Sequence, residues 1–114
     1  MKNYDYKECT FHNAATAAAD GTEMVLDSVY TTLRVDIDGA VTSSTVAFIG
    51  KGPGKVARAI VGCKEGDTSF TMATSTSGTA ETWVFDVSGM HSVIMDLTAI
   101  VAGTASLTVK GRAV

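Results

Sequence analysis

Between Thr31 and Asp38 the chain places Leu33, Val35 and Ile37 on one side of an extended backbone and Thr32, Arg34 and Asp36 on the other. A period of two marks a strand with one buried face, because successive side chains of a strand point to opposite sides. Similar short runs recur along the chain between glycine-containing turns, at a spacing of about 8 to 12 residues. The strands this pattern predicts are Cys9 to Asn13, Glu23 to Leu26, Thr31 to Asp38, Ser44 to Lys51 and Val56 to Lys64, then Thr68 to Thr74, Glu81 to Val87, His91 to Val101 and Thr104 to Arg112. Phe70 and Met72 are inward candidates on the sixth of these. The stretch from Trp83 to Val109 reads as a three-stranded antiparallel meander.

Helices have little support. The alanines of Ala14 to Ala19 favour one, but the run is too short to be stable alone, and Asp20-Gly21 closes it as a turn. It is expected to be a loop with room for one helical turn. Asp38-Gly39 and Glu65-Gly-Asp67 read as turns, and Gly50-Lys-Gly-Pro-Gly-Lys55 as a strong hairpin signal, since proline fixes φ and glycine supplies positive φ. The expected fold is all-β: a single β-sandwich over residues 1–114, jelly-roll-like, with about eight or nine short antiparallel strands and an N-terminal arm over residues 1–13. A chain of 114 residues can bury roughly two-thirds of its unfolded surface, enough for a core of its own.

Charge narrows the classes of partner. A net charge of −3 and nine scattered Lys and Arg argue against nucleic acid, whose phosphates need clustered cations. No apolar run approaches the ~20 residues of a membrane span, and the charged, tyrosine-bearing start does not read as a signal peptide. The expectation is a protein made and kept in the cytosol, or leaving it inside an assembly, with no membrane partner. Cys9 and Cys63 have no CxxC spacing and are expected to be free thiols.

Sites for chemistry are few. Gly54-Lys55 matches the end of a phosphate-binding loop, but Ile49 stands where its first glycine belongs and Val56 where Ser or Thr should follow. Asp36-Ile-Asp38-Gly39 opens like a calcium loop but lacks the later ligands. His12 and His91 have no second ligand at useful spacing, and Ser88-Gly89 is no nucleophile elbow because Asp86 occupies the first glycine position. No catalytic, cofactor-binding or metal residues are therefore assigned, and an enzyme is not expected. Trp83 supports two readings: it packs beside the core with Phe85, which shares its face, or it forms a sugar-stacking platform assisted by Tyr30 or Tyr4. Packing is favoured, because tryptophan is mostly buried.

Leu33-Arg-Val-Asp-Ile-Asp-Gly39 followed by Thr45-Val-Ala-Phe-Ile-Gly50, then Phe85-Asp-Val-Ser-Gly89, Val93 to Ile100 and Gly103-Thr-Ala-Ser-Leu-Thr-Val109, resembles small all-β virion proteins of tailed bacteriophages. Where such sequences often carry an Arg after the glycine turn, this chain has Ile94 and Met95. Lys51 to Lys55 replaces their usual second turn. The resemblance implies a capsid decoration (cement) protein located in the virion. Its partners would be itself, as a homotrimer, and the phage major capsid protein. Tyr4, Tyr6 and Phe11 of the arm are the expected contacts. A carbohydrate-binding module of a tail or baseplate, using Trp83 and Tyr30, is the alternative.

Overall fold

The computed structural model describes residues 6–66 and 68–114. Ten strands are assigned among them: β1 (Lys7–Ala15), β2 (Met24–Val25), β3 (Thr32–Asp38), β4 (Ser43–Lys51), β5 (Ala57–Ala59), β6 (Gly62–Lys64), β7 (Met72–Ala73), β8 (Glu81–Asp86), β9 (Ser92–Val101) and β10 (Leu107–Ala113). They form a six-stranded sheet in the order β1-β10-β3-β8-β6-β7 and a four-stranded sheet in the order β2-β9-β4-β5, with every pairing antiparallel. The protein is an all-β sandwich.

The alternation read from the sequence sets what lies between the sheets. Leu33, Val35 and Ile37 of β3, Trp83 and Phe85 of β8, and Leu107 and Val109 of β10 face Val46 and Phe48 of β4 and Val93, Met95 and Leu97 of β9 in one buried cluster. Phe48 is its centre, with ring centroids 5.0 Å from Trp83 and 4.8 Å from Phe85 in tilted and edge-on contacts. Such pairs add roughly 0.5–1.5 kcal/mol beyond the area they bury.

Trp83 to Val109 is not a meander. β8 and β10 both flank β3 in the larger sheet, while β9 lies in the smaller one beside β4. A period of two states that each strand has one buried face but not which strand is its neighbour. Here the chain crosses the core between strands, through Val87 and the turn closed by Met90 N–H to the Val87 carbonyl. Asp38-Gly39 likewise leads from one sheet to the other, whereas Gly50 to Lys55 makes the hairpin expected of it, pairing Ile49 with Ala59 and Lys51 with Ala57.

Two further expectations are corrected. Val56 to Lys64 is not one strand: β5 belongs to the smaller sheet and β6 to the larger, with Ile60 and Val61 passing between them. The N-terminal arm is, from Lys7 onward, a sheet strand paired with β10. Phe11 is 1% exposed, so it is a core residue and no surface contact. Its seat comes from Gly111, where an added Cβ would stand 2.6 Å from the ring.

Both long sides of the sandwich are closed by backbone that changes sheets. On one side Ala19 exchanges two hydrogen bonds of 3.0 Å with Leu97 of β9, and Thr22 N–H reaches the Phe11 carbonyl at 2.9 Å. The alanine-rich stretch is thus an extended crossing rather than a helical turn. On the other side Phe48 N–H bonds the Thr74 carbonyl and Thr76 N–H the Val46 carbonyl, joining the segment after β7 to β4. Strand edges with free N–H and C=O groups recruit other chains, and these crossings pair part of the edge of β9, β1 and β4.

Phe11→Ala should lower stability by roughly 3–5 kcal/mol, the usual cost of emptying a buried phenylalanine site. Urea unfolding followed by tryptophan fluorescence checks this. A change within about 0.5 kcal/mol, as at a surface site, would contradict the burial.

Candidate functional site

Strand pairing lays out the outer face of the larger sheet row by row, because directly opposed residues share a face. One row runs Met72, Cys63, Val84, Arg34, Arg112, Glu8 across all six strands. Its β1 end is polar: Arg112 pairs with Glu8 at 2.9 Å and lies over the Tyr6 ring at 4.7 Å, and Arg34 pairs with Glu65. Its other end, at Met72, Cys63 and Val84, is apolar.

At that end Phe70 is 77% and Met72 68% exposed, and Val61, on the segment entering β6, is exposed as well. Phe70 also adopts a φ of +53°, in the left-handed region that a bulky side chain enters only under constraint. Both residues were expected to point inward. Met72 stands opposite Cys63 on the outer face, and the short β7 gives Phe70 no sheet to turn beneath. Nothing in the local alternation signals this, since an edge strand of two residues carries no readable period.

The other anticipated residues fall elsewhere. Tyr4 lies outside the described residues, and Tyr6 is exposed beside Arg112. Trp83 is 0% exposed and Tyr30 is buried, so no stacking platform exists at either position and the carbohydrate-binding assignment to them is withdrawn. Cys9 and Cys63 are both free. They sit four strand spacings apart, about 19 Å, too far for a disulfide. Burial raises the Cys9 thiol, an effect that nearby Lys7 partly offsets.

Polar side chains reaching toward the core are engaged in holding the fold. Trp83 donates its indole N–H to Glu81 at 3.0 Å, and the same carboxylate accepts from the Ser77 amide and hydroxyl and from Lys64 at 3.0 Å. The Glu81 side chain is 4% exposed. Burial alone would raise this carboxyl, but hydrogen bonds from Ser77, Lys64 and Trp83 outweigh it and bring it down to about 2. Glu23 accepts from the buried Ser92 hydroxyl at 2.5 Å and from Lys51 at 3.1 Å, which lower it. His12 is buried with Nε2 2.6 Å from the Met95 carbonyl. Asp96, opposite the crossing at Asp20, is raised by burial and by that second carboxylate.

The model of the XepA family matches residues 5–113. The chain belongs to the XepA family. It is 37% identical over 113 residues to the phage-like element PBSX protein XepA of Bacillus subtilis, covering 99% of this chain and 38% of that protein. It is 33% identical over 107 residues to the SPbeta prophage-derived uncharacterized protein YomS of the same organism, covering 94% of this chain and 86% of YomS. The crystal structure of YomS superposes with a TM-score of 0.84 at 31% identity, over 96% of this chain and 92% of that one. That of the PBSX exported protein XepA gives 0.86 at 34%, over 96% of this chain and 37% of that one. This chain thus spans a little over one third of XepA but most of YomS. Its family is one of phage-element proteins with an all-β fold.

The Glu81 node makes a signed prediction. A carboxyl lowered from 4.5 to about 2 stabilises the fold fully above its unfolded value and ceases to do so as pH falls through its folded value. Urea midpoints should therefore fall between about pH 4.5 and pH 2, and Glu81→Gln should flatten that decline. At pH 7 the same variant should lose roughly 1–3 kcal/mol, as donors lose a charged acceptor. An unchanged acid profile would remove Glu81 from this role.

Proposed function

We propose that this chain is a non-enzymatic structural protein of a phage element that binds and stabilises the capsid shell as a symmetric oligomer, located in the virion. The observation that carries this reading is the apolar lip formed by Phe70 and Met72, large side chains exposed at a sheet edge, with Phe70 on a constrained backbone. Exposed aromatic and methionine groups are over-represented where proteins meet proteins. One small lip binds weakly, and repetition in a closed oligomer multiplies it on a repetitive surface. Two relatives from phage elements support the setting, and the exported state of the PBSX relative supports work outside the host cytoplasm. Tyr6, exposed at the other end of the same outer face, is the retained contact from the N-terminal segment.

The test is light-scattering mass together with co-sedimentation on purified shells, for the wild type and for Phe70→Asp with Met72→Asp. An oligomeric wild type that co-sediments is expected. The double variant should lose at least about tenfold in assembly or shell affinity, the scale of a hot-spot pair. A monomer that ignores shells, or a double variant that behaves as wild type, would refute the proposal.

A further inference from the structure

The hairpin between β4 and β5 borders an open cleft of about 430 Å³, lined by Gly50, Lys51, Val56, Arg58, Ile60 and Met90 among others. Its floor is apolar for a definable reason. A Cβ on Gly50 would stand 2.8 Å from Ile60 Cγ2 and 3.0 Å from Met90 Sδ, so the glycine lets both side chains lie against strand β4. Around Gly52 and Gly54 nothing comes within 4 Å of where a Cβ would sit, so the turn stands open to solvent.

Its rim is cationic. Lys51 is neutralised by Glu23 at 3.1 Å, but the side chains of Arg58 and Lys55 have no hydrogen-bond or ion-pair partner among the described residues. Lys55 lies between the lining residues Gly54 and Val56 with φ at +60°, in the left-handed region, its amide bonded to the Gly52 carbonyl at 2.9 Å. An apolar floor beside cations that have no partner among the described residues is a combination that small-ligand sites use.

We propose that this cleft binds a small amphipathic anion: a phosphate monoester or carboxylate head held by Arg58 and Lys55, with its apolar body on Ile60, Met90 and Val56. The guanidinium of Arg58 can meet two oxygens of such a head at once, and Lys55 adds a second charge. The head alone would find only the rim, and a neutral tail only the floor. This site is independent of the apolar lip at Phe70 and of shell binding.

Octyl phosphate, titrated below its micellar concentration, is the probe, with methyl signals of Ile60 and Met90 as the readout. Saturable shifts at both are expected. Inorganic phosphate and octanol should each bind at least about tenfold more weakly, and so should octyl phosphate to Arg58→Gln with Lys55→Gln, given the strength of charge-assisted hydrogen bonds. Both changes are at exposed positions, and an unaltered urea midpoint would show that the fold is intact. Vesicles of equal phosphatidic acid, a phosphate monoester, and phosphatidylcholine form a second arm. Binding there that the double variant loses would identify a lipid headgroup as the source, whereas binding of the monomeric probe alone would identify a free amphiphile. No saturable shift with octyl phosphate, or equal binding by the double variant, would overturn the site.

Discussion

Complete burial of Trp83 obliges its indole N–H to find an acceptor inside the fold, and much of the architecture follows from how Glu81 supplies one. A carboxylate at the lip of a core costs free energy unless several donors reach it. Ser77 reaches it from the loop before β8, and Lys64 from the end of β6. The loop and the neighbouring strand are thereby tied to the same two side chains that anchor the aromatic cluster. Because β6 is placed this way, β7 is placed too, and Phe70 and Met72 stand where they do because of an interaction made on the opposite face of the sheet.

A second constraint is the closing of the long sides. A sandwich of six and four strands offers four edges, two on each side. Here the segment after β1 bonds Leu97, and the segment after β7 bonds Val46 and Phe48, so the sheets are joined by main chain on both sides. Unwanted strand addition is thereby suppressed. Side chains at turns and lips remain free to bind, among them the Phe70 corner and the hairpin, where Arg58 and Lys55 have no ion-pair partner among the described residues.

Much of the framework was legible in the sequence because alternation reports burial directly. Leu33, Val35 and Ile37 are buried as read, Trp83 and Phe85 share a buried face, and Gly50 to Lys55 turns a hairpin. Strand partnership was not legible. It depends on where a connection crosses the core, as at Val87, and alternation is the same on either side of such a crossing. Exposure of single aromatics was misread in both directions. Phe11 looked exposed because its neighbours are polar, and only Gly111, far away in the chain, reveals the room that takes its ring. Phe70 looked buried for the opposite reason, since its outward position is set by backbone conformation and by the brevity of β7.

The family relationship sharpens which residues can carry function. A sandwich of this kind survives replacement of about two-thirds of its residues, as superposition on YomS at 31% identity demonstrates. What must persist is alternation, volume and a few polar nodes, because cores accept many apolar substitutions that keep pattern and size. Shared fold therefore constrains the inner faces of β3, β4, β8, β9 and β10 and says little about the outer ones. Specific binding has to be written in groups that the core does not require. Phe70 is such a group, since it adds nothing to the buried cluster while occupying a constrained backbone conformation. Arg58 is another, a cation with no ion-pair partner among the described residues of a chain of net charge −3. A side chain that costs the fold something, or adds nothing to it, is accounted for by what it meets outside.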